Sequence, residues 1–384
     1  MMSHKQPRLR TVALSLLPML LVGTLAPRAE AYDTPADAAI LLDLQSGQEL
    51  YAKNPDLRLP PASMSKLMTV LMVFERLKGG SLSLDDTLPV SEKAWRMGGS
   101  KMFVEVGSRV RIEDLLRGII IQSGNDACIV IAEGLAGSEA AFAEQMTRRG
   151  RELGLSNSTF TNASGWPEPD HVMTARDLAT LARILITDYP EYYGIFSEKE
   201  FTFSGIRQYA RNPLLFGDNG ADGLKTGHTN EAGYGLTASA VRDGRRLVMV
   251  LAGLDRPEDR ARESERLLEY GFRQFRNYQL FARGQAVAQA DVWLGAAGTV
   301  PLVIQEDVWV SLTPEARRQL EVKVVYDGPI PAPVADGSQV AEIAITAPGL
   351  EPLRFPLVAG EAVQAANMLN RMTSAIGYLI WGPS

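Results

Sequence analysis

In the stretch "PASMSKLMTVLMVF", Ser63 and Lys66 stand three residues apart. Residues at i and i+3 on a helix project from one face, within reach of each other. A serine hydroxyl is a poor nucleophile until a neighbour takes its proton. No histidine lies nearby in sequence, so the candidate base is Lys66. Lysine accepts a proton only when neutral, which requires burial or a second cation to depress its pKa. Leu67, Met68, Val70, Leu71, Val73 and Phe74 follow it and offer the burial. The competing reading is a solvated first turn with a serine cap, and the spacing alone does not decide between them.

Two further triplets bear on the choice. "SGN" at Ser123, Gly124 and Asn125 follows the apolar run "LLRGIIIQ". "KTG" at Lys225, Thr226 and Gly227 lies between "DGL" and the strand-like "AGYGLTASA". Each has a bland alternative. Ser123 and Asn125 suit helix caps, Gly223 and Gly227 suit turns, and His228 reads as a packed core histidine.

These residues must be positioned by a fold. The chain has 384 residues, 46% hydrophobic and 22% charged, long enough for two domains. A formal charge of −6 leaves no basic surplus for nucleic acid. Three histidines (His4, His171, His228) and one cysteine (Cys128) argue against a zinc site and exclude an intrachain disulfide. No cofactor is implied. His171 reads as surface or structural, and Cys128 as buried beside "SGN".

Lys5, Arg8 and Arg10 precede "TVALSLLPMLLVGTLA", and "AEA" supplies small residues at 29–31. That order is a secretory leader, residues 1–31, cleaved after Ala31. The mature protein is therefore expected in the periplasm or on the outer face of the cytoplasmic membrane. Residues 32–280 alternate strand-like and helical runs, with strands at both ends, which predicts an α+β domain whose antiparallel sheet is covered by helices. "AAILLDLQSGQELY" reads as two antiparallel strands joined at "DLQSG". Residues 281–360 lose helical periodicity and read as a small β-sandwich-like domain. Over 361–384, Ala365, Met368, Leu369, Met372, Ile376, Leu379 and Ile380 share one helical face, and Tyr378 and Trp381 suit a membrane interface. An amphipathic C-terminal helix attaching to the membrane surface is expected there.

The ordered set Ser-x-x-Lys, Ser-x-Asn, Lys-Thr-Gly resembles the motifs of penicillin-binding proteins and related β-lactamases. "PASMSKLMT", "QSGNDA", "DGLKTGHTNEAGYGLTASA" and "RRLVMVLAGL" narrow the resemblance to the low-molecular-mass D-alanyl-D-alanine carboxypeptidases. These serine peptidases trim pentapeptide stems of peptidoglycan and are covalently inhibited by β-lactam antibiotics. The resemblance implies that Ser63 is acylated, that Lys66 takes its proton, and that Ser123 relays a proton to the departing D-alanine. It implies that Asn125 binds the substrate backbone and Lys66. Lys225 becomes the second cation, keeping Lys66 neutral and, with Thr226 and Gly227, receiving the terminal carboxylate. The N–H groups of Ser63 and His228 become the oxyanion hole. Arg260 resembles the carboxylate-neutralising arginine, with Arg262 as its neighbour and competitor.

Three other functions compete. A D,D-endopeptidase shares all three motifs. A class A β-lactamase carries Ser-Asp-Asn and a deacylating glutamate; this chain has Ser-Gly-Asn, and Glu168 lies in no matching motif, so at most weak β-lactamase activity is expected. A non-catalytic peptidoglycan-binding protein would need neither an acylatable serine nor its base.

Overall fold

The computed structural model describes residues 9–13 and 32–367. The chain divides into two compact units, with the boundary between Arg273 and Gln274. In the first, five strands pair antiparallel among the described residues: β1 (Ala38–Asp43), β2 (Glu49–Lys53), β3 (Ala221–Thr229), β4 (Gly233–Arg242) and β5 (Arg245–Leu254), in the order β2-β1-β5-β4-β3. The hairpin expected at "DLQSG" forms there, with Asp43 N–H and C=O bonded to Gln48 and Gly47 at 2.9 Å each. Leu247 to Ala252 of β5 are all buried, as a central strand covered on both faces requires. One cover is helix α6 (Pro257–Gln274), whose Gly271 lies against Leu41 and Leu247.

The other layer is helical: α1 (Lys66–Lys78), α2 (Ile112–Ile120), α3 (Asn125–Ala136), α4 (Glu139–Glu152) and α5 (Ala175–Asp188). In α1 every residue from Lys66 to Phe74 is buried, which marks it as a helix enclosed on all sides rather than one at the surface. Phe74 anchors its far end among Tyr192, Tyr189 and Phe196, with ring centroids 5.3, 6.1 and 6.4 Å away. α2 is amphipathic: Ile112, Leu115, Leu116 and Ile119 turn inward, and Arg117 pairs outward with Glu113 and Glu198.

Among the described residues, the second unit is all β apart from one short helix, Pro314–Arg318. Strands β6 (Ala286–Trp293), β7 (Thr299–Ile304), β8 (Glu321–Asp327), β9 (Gln339–Ala347) and β10 (Leu350–Ala359) form its main sheet. A separate pair, Arg276–Phe281 with Val308–Leu312, contributes to the same core. Leu9–Ala13, read from the sequence as leader, pairs antiparallel with β8; residues 14–31, with the expected cleavage site, lie outside the described residues. Residues 363–366 correct the start of the expected C-terminal helix. Val363 is buried and bridges Val334, and Ala365 bridges Gly295, so this segment runs extended along the domain. The remaining helical positions, from Met368 onward, lie outside the described residues. No described helix is long and apolar enough to cross a membrane.

Truncating Phe74 to alanine should cost about 3–5 kcal/mol, because it opens a cavity in an enclosed aromatic cluster. The check is a urea titration, read as a lower midpoint at unchanged slope. An unshifted midpoint would show that α1 is not the structural axis of the domain.

Candidate active site

Ser63 lies in a 3-10 turn, Ala62–Ser65, that runs directly into α1. Lys66 therefore occupies the first turn of a buried helix, and its side chain is 0% exposed. Its amine meets three groups from three chain segments: Ser63 Oγ at 2.7 Å, Asn125 Oδ1 at 2.8 Å and the Ser164 carbonyl at 2.6 Å. A neutral amine has two hydrogens and one lone pair. All three groups accept from the ammonium; once it has lost a proton, donation to Asn125 and Ser164 leaves the lone pair for the Ser63 hydroxyl. Burial holds the Lys66 pKa down at about 8; Arg211 pushes the same way, while Cys128 and Asp126 oppose it.

Asn125 opens α3 but does not cap it. The cap position is Gly124, and no side chain closes it. Asn125 instead donates through Nδ2 to the Gly98 carbonyl at 2.9 Å, and its N–H bonds Ser100 at 2.8 Å. Asp126 ties the same loop down by accepting from the N–H groups of Met102, Phe103 and Val104. Ser123 is buried in the turn before α3 at φ +61°, the left-handed region that side chains seldom adopt.

Lys225, Thr226 and Gly227 lie on β3, the edge strand of the sheet. A Cβ on Gly227 would meet the Pro61 carbonyl at 2.8 Å and Met64 Cγ at 3.1 Å. Glycine is thus what lets β3 lie against the turn carrying Ser63, rather than a mere turn residue. Lys225 is 2% exposed and donates to the Thr226 carbonyl at 3.1 Å. Burial depresses its pKa well below the lysine norm, followed by repulsion from Lys66 and Arg211. Burial is the main cause of the lowered Lys66 pKa, Arg211 adds to it, and the two buried lysines repel each other.

His228 is exposed and stacks on Tyr234, centroids 3.9 Å apart, so it is not a core histidine. Arg260 stands 5.5 Å from the Tyr234 ring, and its buried Nε has no hydrogen-bond partner. Arg262 pairs with Asp259 and Glu263, which separates the two arginines. Ser63, Ser100, Asn125, Ser164, Trp166 and His228 are among the residues lining a cleft of about 490 Å³. Away from the site, Cys128 is buried and its thiol pushed up to about 12 by burial. His171 is buried against Phe160, with Nδ1 facing Thr161, and burial lowers its pKa to about 4. Glu168 is exposed.

Two participants have no motif of their own. Ser164 contributes through its backbone carbonyl. Arg211 donates to Ser100 Oγ at 2.6 Å, and its only sequence signal was a lone arginine before "NP".

Residues 25–255 match the family described as D-alanyl-D-alanine carboxypeptidase, peptidase S11. The chain belongs to that family. Residues 275–365 match the C-terminal domain of penicillin-binding protein 5. Among relatives, the D-alanyl-D-alanine carboxypeptidase DacC of Escherichia coli is 38% identical over 351 residues, 89% of this chain and 88% of its own. The solved penicillin-binding protein 5 of Haemophilus influenzae superposes with a TM-score of 0.80 at 34% identity, over 89% of this chain and all of that one. A D-alanyl-D-alanine endopeptidase of Pseudomonas aeruginosa is 32% identical over 209 residues, 52% of this chain and 65% of its own. Members of this family are serine-type hydrolases, and the two-domain fold read from the sequence is theirs.

Since the neutral amine is the reactive form, acylation of Ser63 should rise about tenfold per pH unit below the Lys66 pKa and level off above it. With that pKa at about 8, the protonated lysine dominates at lower pH and the base is lost. Rates of penicillin acylation across the pH range test this; a flat profile through that region contradicts a lysine base.

Proposed function

We propose that the protein is a serine-type D-alanyl-D-alanine carboxypeptidase that removes the terminal D-alanine from peptidoglycan pentapeptide stems. The observation that carries this reading is the buried Lys66 amine 2.7 Å from Ser63 Oγ. The stem would lie along β3, because an edge strand leaves alternate N–H and C=O groups free for an added strand. Its terminal carboxylate supplies the anion that buried Lys225 lacks, with Thr226 donating a hydroxyl and Arg260 adding charge behind Tyr234. Ser63 Oγ attacks the penultimate carbonyl while its proton passes to Lys66. The N–H groups of Ser63 and His228 hold the oxyanion. Lys66 then returns the proton through Ser123 to the departing nitrogen, the C–N bond breaks, and D-alanine leaves. Lys66, neutral again, takes a proton from the water that cleaves the ester and restores Ser63.

A β-lactam presents the same carbonyl and carboxylate, so it should acylate Ser63. The exposed Glu168 supports no fast release by a glutamate-activated water. Endopeptidase action on cross-links uses the same chemistry; the match of 275–365 to a penicillin-binding protein 5 domain favours the carboxypeptidase. Charge, apolar run and small residues in 1–31 support export to the periplasm, and the face shared by 368–380 supports attachment at the membrane surface.

Fluorescent penicillin should label the wild-type protein covalently and leave Ser63→Ala unlabelled; equal labelling of both would refute the nucleophile. The wild type should release D-alanine from a pentapeptide faster than it cleaves cross-linked dimers. Lys225→Ala should raise KM for the pentapeptide more than it lowers kcat, since it removes a binding cation.

A further inference from the structure

The loop at 162–166, "NASGW", covers the amine of Lys66. Its two consecutive carbonyls dock on the first turn of α1: Ala163 accepts from Thr69 Oγ1 at 2.6 Å, and Ser164 from Lys66 Nζ at 2.6 Å. Close packing holds the loop from above. Gly165 has φ +75°, and a Cβ there would fall 1.8 Å from the Ala62 carbonyl, on the turn that carries Ser63. One side chain organises the loop. Asn162 Oδ1 accepts from the N–H groups of Ser164, Gly165 and Trp166 at 3.1, 2.8 and 3.1 Å, and its Nδ2 donates to the Trp166 carbonyl at 2.9 Å. Asn162 is itself buried, so these bonds face little competition from water.

We infer that Asn162 is a positioning residue of the catalytic site: by folding the loop around its side-chain amide, it seals Lys66 from water and aims the Ser164 carbonyl at the amine. This rests on Lys66 acting as the base. Its consequence is electrostatic. Desolvation is the main cause of the lowered Lys66 pKa, so opening the cover restores hydration and lets the amine hold its proton to higher pH. The charged and titratable groups around Lys66 and its cover are Asp126 and Cys128 on α3, Lys225 on β3, Arg211 beside Ser100, His171 beyond the loop, and Glu139 on α4, which accepts from the Ala163 N–H at 3.2 Å. Loss of the Glu139 carboxylate from the loop would lower the Lys66 pKa, so an upward shift in an Asn162 variant reports restored hydration.

The test is the pH dependence of acylation by a fluorescent penicillin, measured on the full chain alongside thermal unfolding. Asn162→Ala should move the acid limb upward by about one pH unit, so that acylation at pH 7 falls about tenfold while much of the high-pH rate survives. Asn162→Ser should return the limb most of the way, because a serine hydroxyl accepts from the N–H groups two and three residues on. An Asn162→Ala protein that loses rate equally at every pH, with its limb unmoved, would overturn the inference and leave Asn162 a structural residue. So would an unchanged wild-type profile in the variant. Failure of the wild type itself to be acylated at Ser63 would refute the underlying function instead, which keeps the two outcomes apart.

Discussion

One cation taken out of water organises this molecule. Moving an ammonium into a protein interior costs several kcal/mol, and the first unit of the fold is arranged so that the amine of Lys66 holds its proton far less tightly than a surface lysine. Three segments far apart in sequence converge on it: the turn carrying Ser63, the start of α3 through Asn125, and the loop of Ser164. Each supplies one acceptor for the amine, and when the amine loses a proton Ser63 Oγ is the group left facing its lone pair. The apolar body of α1 that follows keeps water from competing. Stability and reactivity therefore share a cause, since the burial that packs α1 also makes its first residue a base.

The second half of the site holds another buried lysine, whose pKa burial also lowers. Lys225 is buried with one backbone carbonyl as acceptor, near Arg211 and Arg260. Such a cluster is unfavourable until an anion arrives, and a peptide carboxylate is the anion the edge strand β3 is placed to deliver. The domain thus holds one lysine that must lose its proton beside another that gains a partner only with substrate. Gly227 makes this possible by letting β3 and the Ser63 turn touch.

The parts of the site carried by side chains in ordered motifs were legible in the sequence. Ser63, Lys66 and Asn125 meet as hydrogen-bonding neighbours, and the antiparallel sheet, the first hairpin and the β character of the described second unit follow the apolar patterning. What was hidden has a common physical character. Ser164 acts through its carbonyl, which every residue possesses, so no residue type announces it. Arg211 acts through space on Lys66, and only the folded chain sets that distance. The same limit applies to the electrostatics: burial is the main cause of the lowered Lys66 pKa, and only the folded chain sets how fully that amine is enclosed. At the C-terminus, helical periodicity read from 361 onward overlooked that Val363 fills a place in the second core, and a few buried contacts outweigh a marginal helical start.

The central claim is that burial among Ser63, Asn125 and Ser164 lowers the Lys66 pKa, so that this amine gives up its proton far more readily than a surface lysine. It is tested most directly by NMR titration of protein labelled at the lysine side chains, with the Lys66 resonance assigned by its loss in Lys66→Ala. The account predicts a midpoint at about 8, well below the surface lysines. A Lys66 that titrates together with them would contradict it.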